Sequence, residues 1–76
     1  MINEFANIAQ YDVYVYDDEG ECVHDYVGDD LDAARASFEN LKTINSKTPI
    51  EKDITVVLHD NWNEKIVEDY NTLRDA

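Results

Sequence analysis

The chain has 76 residues, 43% of them apolar and 11% aromatic, and carries a formal charge of −12. That length holds one domain and that apolar content exceeds what a disordered segment carries, so a single domain over 1–76 is expected, ordered over roughly 10–70. The charge opposes direct binding to nucleic-acid phosphates and to an anionic membrane surface, both of which select cations.

The one cysteine excludes an intramolecular disulfide. No apolar run approaches the roughly 20 residues of a membrane helix. The segment Met1–Ala6 lacks the basic and apolar regions of a signal peptide, so a cytoplasmic protein is expected.

Tyr11–Asp17 (YDVYVYD) is rich in β-branched and aromatic residues and predicts a strand. Asp17-Asp18-Glu19-Gly20 predicts a type I turn, with Gly20 left-handed as a G1 bulge. Glu21–Val27 returns as a second strand, which Gly28 breaks. Asp29 or Asp30 is placed to cap a helix, and Asp29 with Asp32 resembles a capping box. Leu31, Ala34, Phe38, Leu41 and then Ile44 or Asn45 form one apolar stripe at helical spacing, predicting a helix from about 30 to 44. Asn45–Lys52 reads as a loop. Asp53–His59 and Glu64–Tyr70 read as two more strands, joined by a turn at Asp60–Asn63. The order β-β-α-β-β predicts an α+β two-layer domain, a four-stranded antiparallel sheet with one helix on one face. The two hairpins share a Val-x-Asp-Tyr ending, at Val23–Tyr26 and Val67–Tyr70.

With the G1 bulge, Val15 faces Val23 and Tyr16 faces Cys22. Strict alternation then assigns Tyr11, Val13, Val15, Val23 and Val27 to one side, and Tyr14, Tyr16, Cys22, His24 and Tyr26 to the other. In the second hairpin it groups Ile54, Val56, Leu58 and Ile66 against Thr55, Val57, His59, Lys65 and Val67. One helix covers one side, and the aliphatic sides match its stripe. The tyrosine side is therefore expected to be open, either as padding on a solvated sheet or as a contact surface.

Candidate chemistry is sparse. Cys22 and His24 lie two apart on one strand, as a semi-buried thiol beside a surface imidazole. Zinc needs further ligands and only His59, on the other hairpin, remains. The run Asp17–Glu21 lacks the ligand register of a calcium loop. Phosphate-binding loops, nucleophile elbows and metal-spaced Cys/His clusters are absent from the sequence, so no enzyme activity, cofactor or metal is expected. Trp62, in the second turn, reads as a lid over the sheet edge.

Charge is the strongest functional signal. Residues 1–34 hold ten carboxylates and no Lys or Arg, whereas residues 35–76 hold eight carboxylates and six bases. Solubility needs only modest, mixed charge, and a one-signed half destabilises the compact state by self-repulsion. A fold that keeps such a half is expected to present it to something positive.

Short, very acidic, β-β-α-β-β and with a single cysteine, the chain resembles as a group the small phage and mobile-element inhibitors of host defence: anti-CRISPR proteins, antirestriction DNA mimics and uracil-DNA glycosylase inhibitors. Tyr16-Asp17-Asp18-Glu19-Gly20 and Val57-Leu58-His59-Asp60 resemble the Tyr-Asn-x-Gly turn and Ile-His-Asp segment of ArdA-type antirestriction proteins. Asp replaces Asn and the glycine spacing differs, so no residue role is carried over.

The group resemblance implies a non-enzymatic inhibitor docking into the basic nucleic-acid groove of a host defence or repair nuclease. Asp17, Asp18, Glu19, Glu21, Asp25, Asp29, Asp30 and Asp32 would stand in for phosphates, with Tyr14, Tyr16 and Tyr26 as apolar anchors. The alternative is a protein–protein interaction module (an adaptor, an immunity protein or a homodimer subunit) using the tyrosine face.

Overall fold

The computed structural model describes residues 8–46 and 52–75. Strands β1 (Tyr11–Asp17) and β2 (Cys22–Gly28) precede helix α1 (Leu31–Ser46), and β3 (Ile54–Asp60) and β4 (Lys65–Asn71) follow it. The sheet order is β2-β1-β3-β4 and every pairing is antiparallel. The α+β two-layer fold expected from the sequence is therefore the fold observed. Strands β2, β3 and β4 each lie one residue later than expected, and the helix runs on to Ser46.

The first turn forms as its residues dictate. Gly20 takes φ 88°, and its N–H donates to the Asp17 carbonyl at 3.2 Å. Asp17 Oδ1 accepts the Glu19 and Glu21 N–H groups at 2.9 and 3.1 Å, so this carboxylate organises the turn. The helix start is capped by Asp30, whose Oδ1 accepts from Asp32 N at 2.9 Å and Ala33 N at 3.3 Å. The Asp29–Asp32 capping box does not form. Asp29 Oδ1 instead accepts the Gln10 N–H at 2.8 Å and ties the approach to β1 against the start of the helix.

One helix face supplies Ala34 and Phe38 to a core completed by Val13, Val56, Leu58 and Tyr70; Leu31 and Leu41 pack at its margin. Phe38, Leu58, Val13 and Val56 are fully buried. The stripe stops at Leu41, since Ile44 is 54% exposed.

The outer strands depart from strict alternation. Val13 pairs with Tyr26 but Tyr14 pairs with His24, leaving Asp25 as an extra residue in β2. Leu58 pairs with Glu68 but His59 pairs with Ile66, leaving Val67 extra in β4. A bulge exchanges the faces of the residues beyond it. Tyr26 consequently lies on the helix side, packed against the core, and Val27 on the open side, the reverse of the expected assignment. In the same way Val67 packs against the core and Ile66 stands on the open side opposite His59. Lys65 pairs with Asp60 on the helix side rather than sharing a face with His59.

Candidate functional site

The open face reads as three rows across β2, β1, β3 and β4. The first is Val27, Asp12, His59 and Ile66. The second is His24, Tyr14, Val57 and Asp69, and the third Cys22, Tyr16, Thr55 and Asn71. No helix lies on this side among the described residues. Val57, directly opposite Tyr14, is nonetheless only 3% exposed.

Tyr14 and Tyr16 stack with ring centroids 6.2 Å apart at an interplanar angle of 28°. The His24 ring sits 5.5 Å from Tyr14, and its Nδ1 lies 2.8 Å from Asp12 Oδ1. Burial, and then the proximity of Tyr16, Asp12 and Cys22, push the Tyr14 phenol above its ordinary value, which keeps it neutral and hydrogen-bearing. Asp12 is legible in the sequence as a member of this face, since it alternates with Tyr14 and Tyr16. Val27 and Ile66 were missed because only the bulges bring them there.

Cys22 is exposed rather than semi-buried, with Sγ 4.0 Å from His24 Nε2. His59 Nδ1 engages Asn61 Oδ1 at 2.7 Å. No group of three or more metal-ligating side chains gathers among the described residues. The indole N–H of Trp62 donates to the Ile8 carbonyl at 2.8 Å and the residue is 53% exposed.

The carboxylates form two poles at opposite ends of the first hairpin. Asp17, Asp18, Glu19 and Glu21 surround the β1–β2 turn, and Asp29, Asp30 and Asp32 surround the helix start. The seven-residue strands between them span about 20 Å at ~3.3 Å per residue. Asp25 lies between the poles at the bulge and accepts a hydrogen bond from Ser37 Oγ of α1 at 2.5 Å. Asp17, Asp25, Asp29 and Asp30 therefore also hold local structure. The side chains of Asp18, Glu19, Glu21 and Asp32 have neither a hydrogen bond nor an ion pair with any described residue and are exposed.

The bases engage the other half. Arg35 reaches Glu68 of β4 at 3.5 Å, Arg74 pairs with Asp69 and Asp75 at 2.9 and 2.7 Å, and the Lys42 ammonium stands 5.9 Å over the Tyr70 ring. Lys65 begins β4. Lys52, just before β3, makes no ion pair with a described residue. None of the nine carboxylates from Asp12 to Asp32 has a Lys or Arg partner among the described residues. Because β1 and β2 are neighbours and β4 is the far edge, the sheet order converts the asymmetry along the chain into one across the molecule.

Comparison with protein families, with curated proteins and with solved structures found no match to the chain.

Proposed function

We propose that this protein is a non-enzymatic inhibitory binding protein that presents its acidic β1–β2 side to the basic nucleic-acid-binding groove of a host nuclease or defence complex. The observation that carries this reading is the unneutralised field: nine carboxylates between Asp12 and Asp32, with every observed Lys or Arg contact made elsewhere. Such a field steers a basic partner and rejects nucleic acid and other acidic proteins.

The two poles are separated by about 20 Å, more than twice the ~8 Å screening length at physiological salt. Each pole therefore acts as its own anionic cluster, as phosphates on two stretches of a duplex would. Tyr14 and Tyr16 belong to the contact surface; Tyr26 does not, since the bulge turns it to the core.

The test is capture from bacterial lysate on the immobilised protein, followed by competition with duplex DNA. The expected result is a nucleic-acid enzyme released by high salt and displaced by DNA, and lost when Asp18, Glu19 and Glu21 are reversed to Lys. Capture indifferent to salt, DNA and those reversals contradicts the reading.

A second reading, an interaction module using the open face, is favoured by the uncovered Tyr14–Tyr16 stack. In its homodimer form it must overcome the repulsion of two chains of charge −12. Light scattering on the purified protein separates the two, because the inhibitor reading expects a monomer.

A further inference from the structure

We infer that the open sheet face is an arginine-stacking platform, on which guanidinium groups of a basic partner lie against Tyr14 and Tyr16. The inference rests on the proposed function for the sign of the partner and adds which side chain that partner presents and where it goes.

Three kinds of occupant suit aromatic rings on an uncovered antiparallel sheet: nucleobases, a second copy of the same face, and cationic side chains. Charge decides among them. Nucleobases arrive with phosphates, and single-strand binders pair their stacking rings with a positively charged groove. Here the strands carrying the rings hold Asp12, Asp17 and Asp25 and no Lys or Arg. Arg74, which bonds Asp69 at the far edge of this face, is itself held by Asp69 and Asp75. A second copy would set Asp12 against Asp12 and bring together two chains of charge −12. A cation meets only attraction.

Among cations the geometry favours arginine. A guanidinium is flat, weakly hydrated and able to stack on a ring while its edge donates to carboxylates; an ammonium is a compact, strongly hydrated point charge. The Tyr14 and Tyr16 rings are stacked 28° from parallel, and Tyr16 is 40% exposed, so a flat group has a surface to lie on. Asp12 lies in the row next to Tyr14, within reach of the donors at the edge of such a group. Arginine is also the side chain that reads nucleic acid most often, so a groove built for DNA or RNA supplies it.

The experiment titrates the purified protein with oligoarginine and oligolysine peptides of equal length and charge. The parent protein is expected to bind the arginine peptide about tenfold more tightly. Tyr16→Leu should remove most of that preference and leave oligolysine affinity unchanged, while Tyr16→Phe keeps it. Tyr14→Leu should act likewise, and because Tyr14 is half-buried opposite the buried Val57, Tyr16→Leu carries the test if that variant fails to fold.

Equal affinity for the two peptides, or a preference that survives Tyr16→Leu, overturns the inference. Tight binding of single-stranded oligothymidylate, or a dimer broken by Tyr16→Leu, overturns it as well. Reversing Asp18, Glu19 and Glu21 to Lys should weaken both peptides alike. If it weakens neither while the arginine preference stands, the acidic-surface reading fails and the stacking platform survives.

Discussion

At the scale of single residues, the first hairpin depends on Gly28 for a reason unrelated to its own backbone angles. The Tyr26 ring lies across it, and a Cβ at position 28 would come within 2.7 Å of Tyr26 Cζ. The same ring delivers Tyr26 Oη to the Asp30 N–H at 3.1 Å, beside the helix cap. Gly28→Ala should displace the ring and lower stability by about 1–3 kcal/mol, read from urea unfolding. Glu64 is the reverse case: it takes φ 52° in the second turn, a conformation that costs a residue with a Cβ about 1–2 kcal/mol. Glu64→Gly should therefore raise the unfolding midpoint, gaining about 0.5–1 kcal/mol after the extra chain entropy of glycine is subtracted.

Asp60 anchors that turn. It is buried, accepts the Trp62 and Asn63 N–H groups at 3.0 and 3.1 Å, and takes the Asn63 amide at 2.8 Å. The Asn63 side chain above all holds its carboxyl below the ordinary value of 3.8, against the opposing effect of desolvation. A carboxyl whose folded pKa is depressed stabilises the fold above its unfolded value and loses that contribution as pH falls through the folded one. Thermal melts should show Asp60→Ala well below the parent at pH 7. The gap should narrow as pH drops below 3.8.

At the scale of elements, the helix contributes chiefly through Phe38, which is fully buried against both central strands. Phe38→Ala should cost about 3–5 kcal/mol, a large part of the ~5–15 kcal/mol of a whole domain, and leave the protein largely unfolded near body temperature. The outer strands are bulged at Asp25 and Val67. Bulges disrupt the edge ladder on which another strand would pair, so the open face, rather than either edge, is the surface left for contact.

Much of this was legible in the residues. Asp17 and Gly20 fixed the first turn and with it the pairing of Val15 with Val23. The spacing of Leu31, Ala34, Phe38 and Leu41 fixed the covered side. The shared Val-x-Asp-Tyr ending marked equivalent positions, because Tyr26 and Tyr70 both lie on the helix side, opposite Val13 and Val56. The bulges were not legible. They depend on which packing is better once the helix is present, so Tyr26 and Val27 exchange faces with no local sign in their neighbours. The role of Asp29 was hidden for the same reason: its partner, Gln10, lies nineteen residues away.

At the scale of the whole molecule, topology does what composition alone does not. A β-β-α-β-β chain could have interleaved its hairpins and mixed the charges. The order β2-β1-β3-β4 keeps each hairpin intact, with the base-free one on one side and the arginine contacts on the other. The field is therefore directional, and binding should depend on where a charge is changed as well as on how many are.

That distinction gives the most direct measurement. Asp18→Lys with Glu19→Lys, and Glu39→Lys with Glu64→Lys, alter net charge equally. The first pair lies at the acidic turn. In the second pair, Glu39 lies one helical turn beyond Arg35, which reaches β4, and Glu64 directly precedes that strand. Affinity for the captured nucleic-acid enzyme should fall by about a hundredfold or more for the turn pair at low salt, roughly 2.7 kcal/mol, and stay near the parent value for the other pair. Equal losses from both pairs would show that only total charge matters and would contradict a localised acidic docking surface.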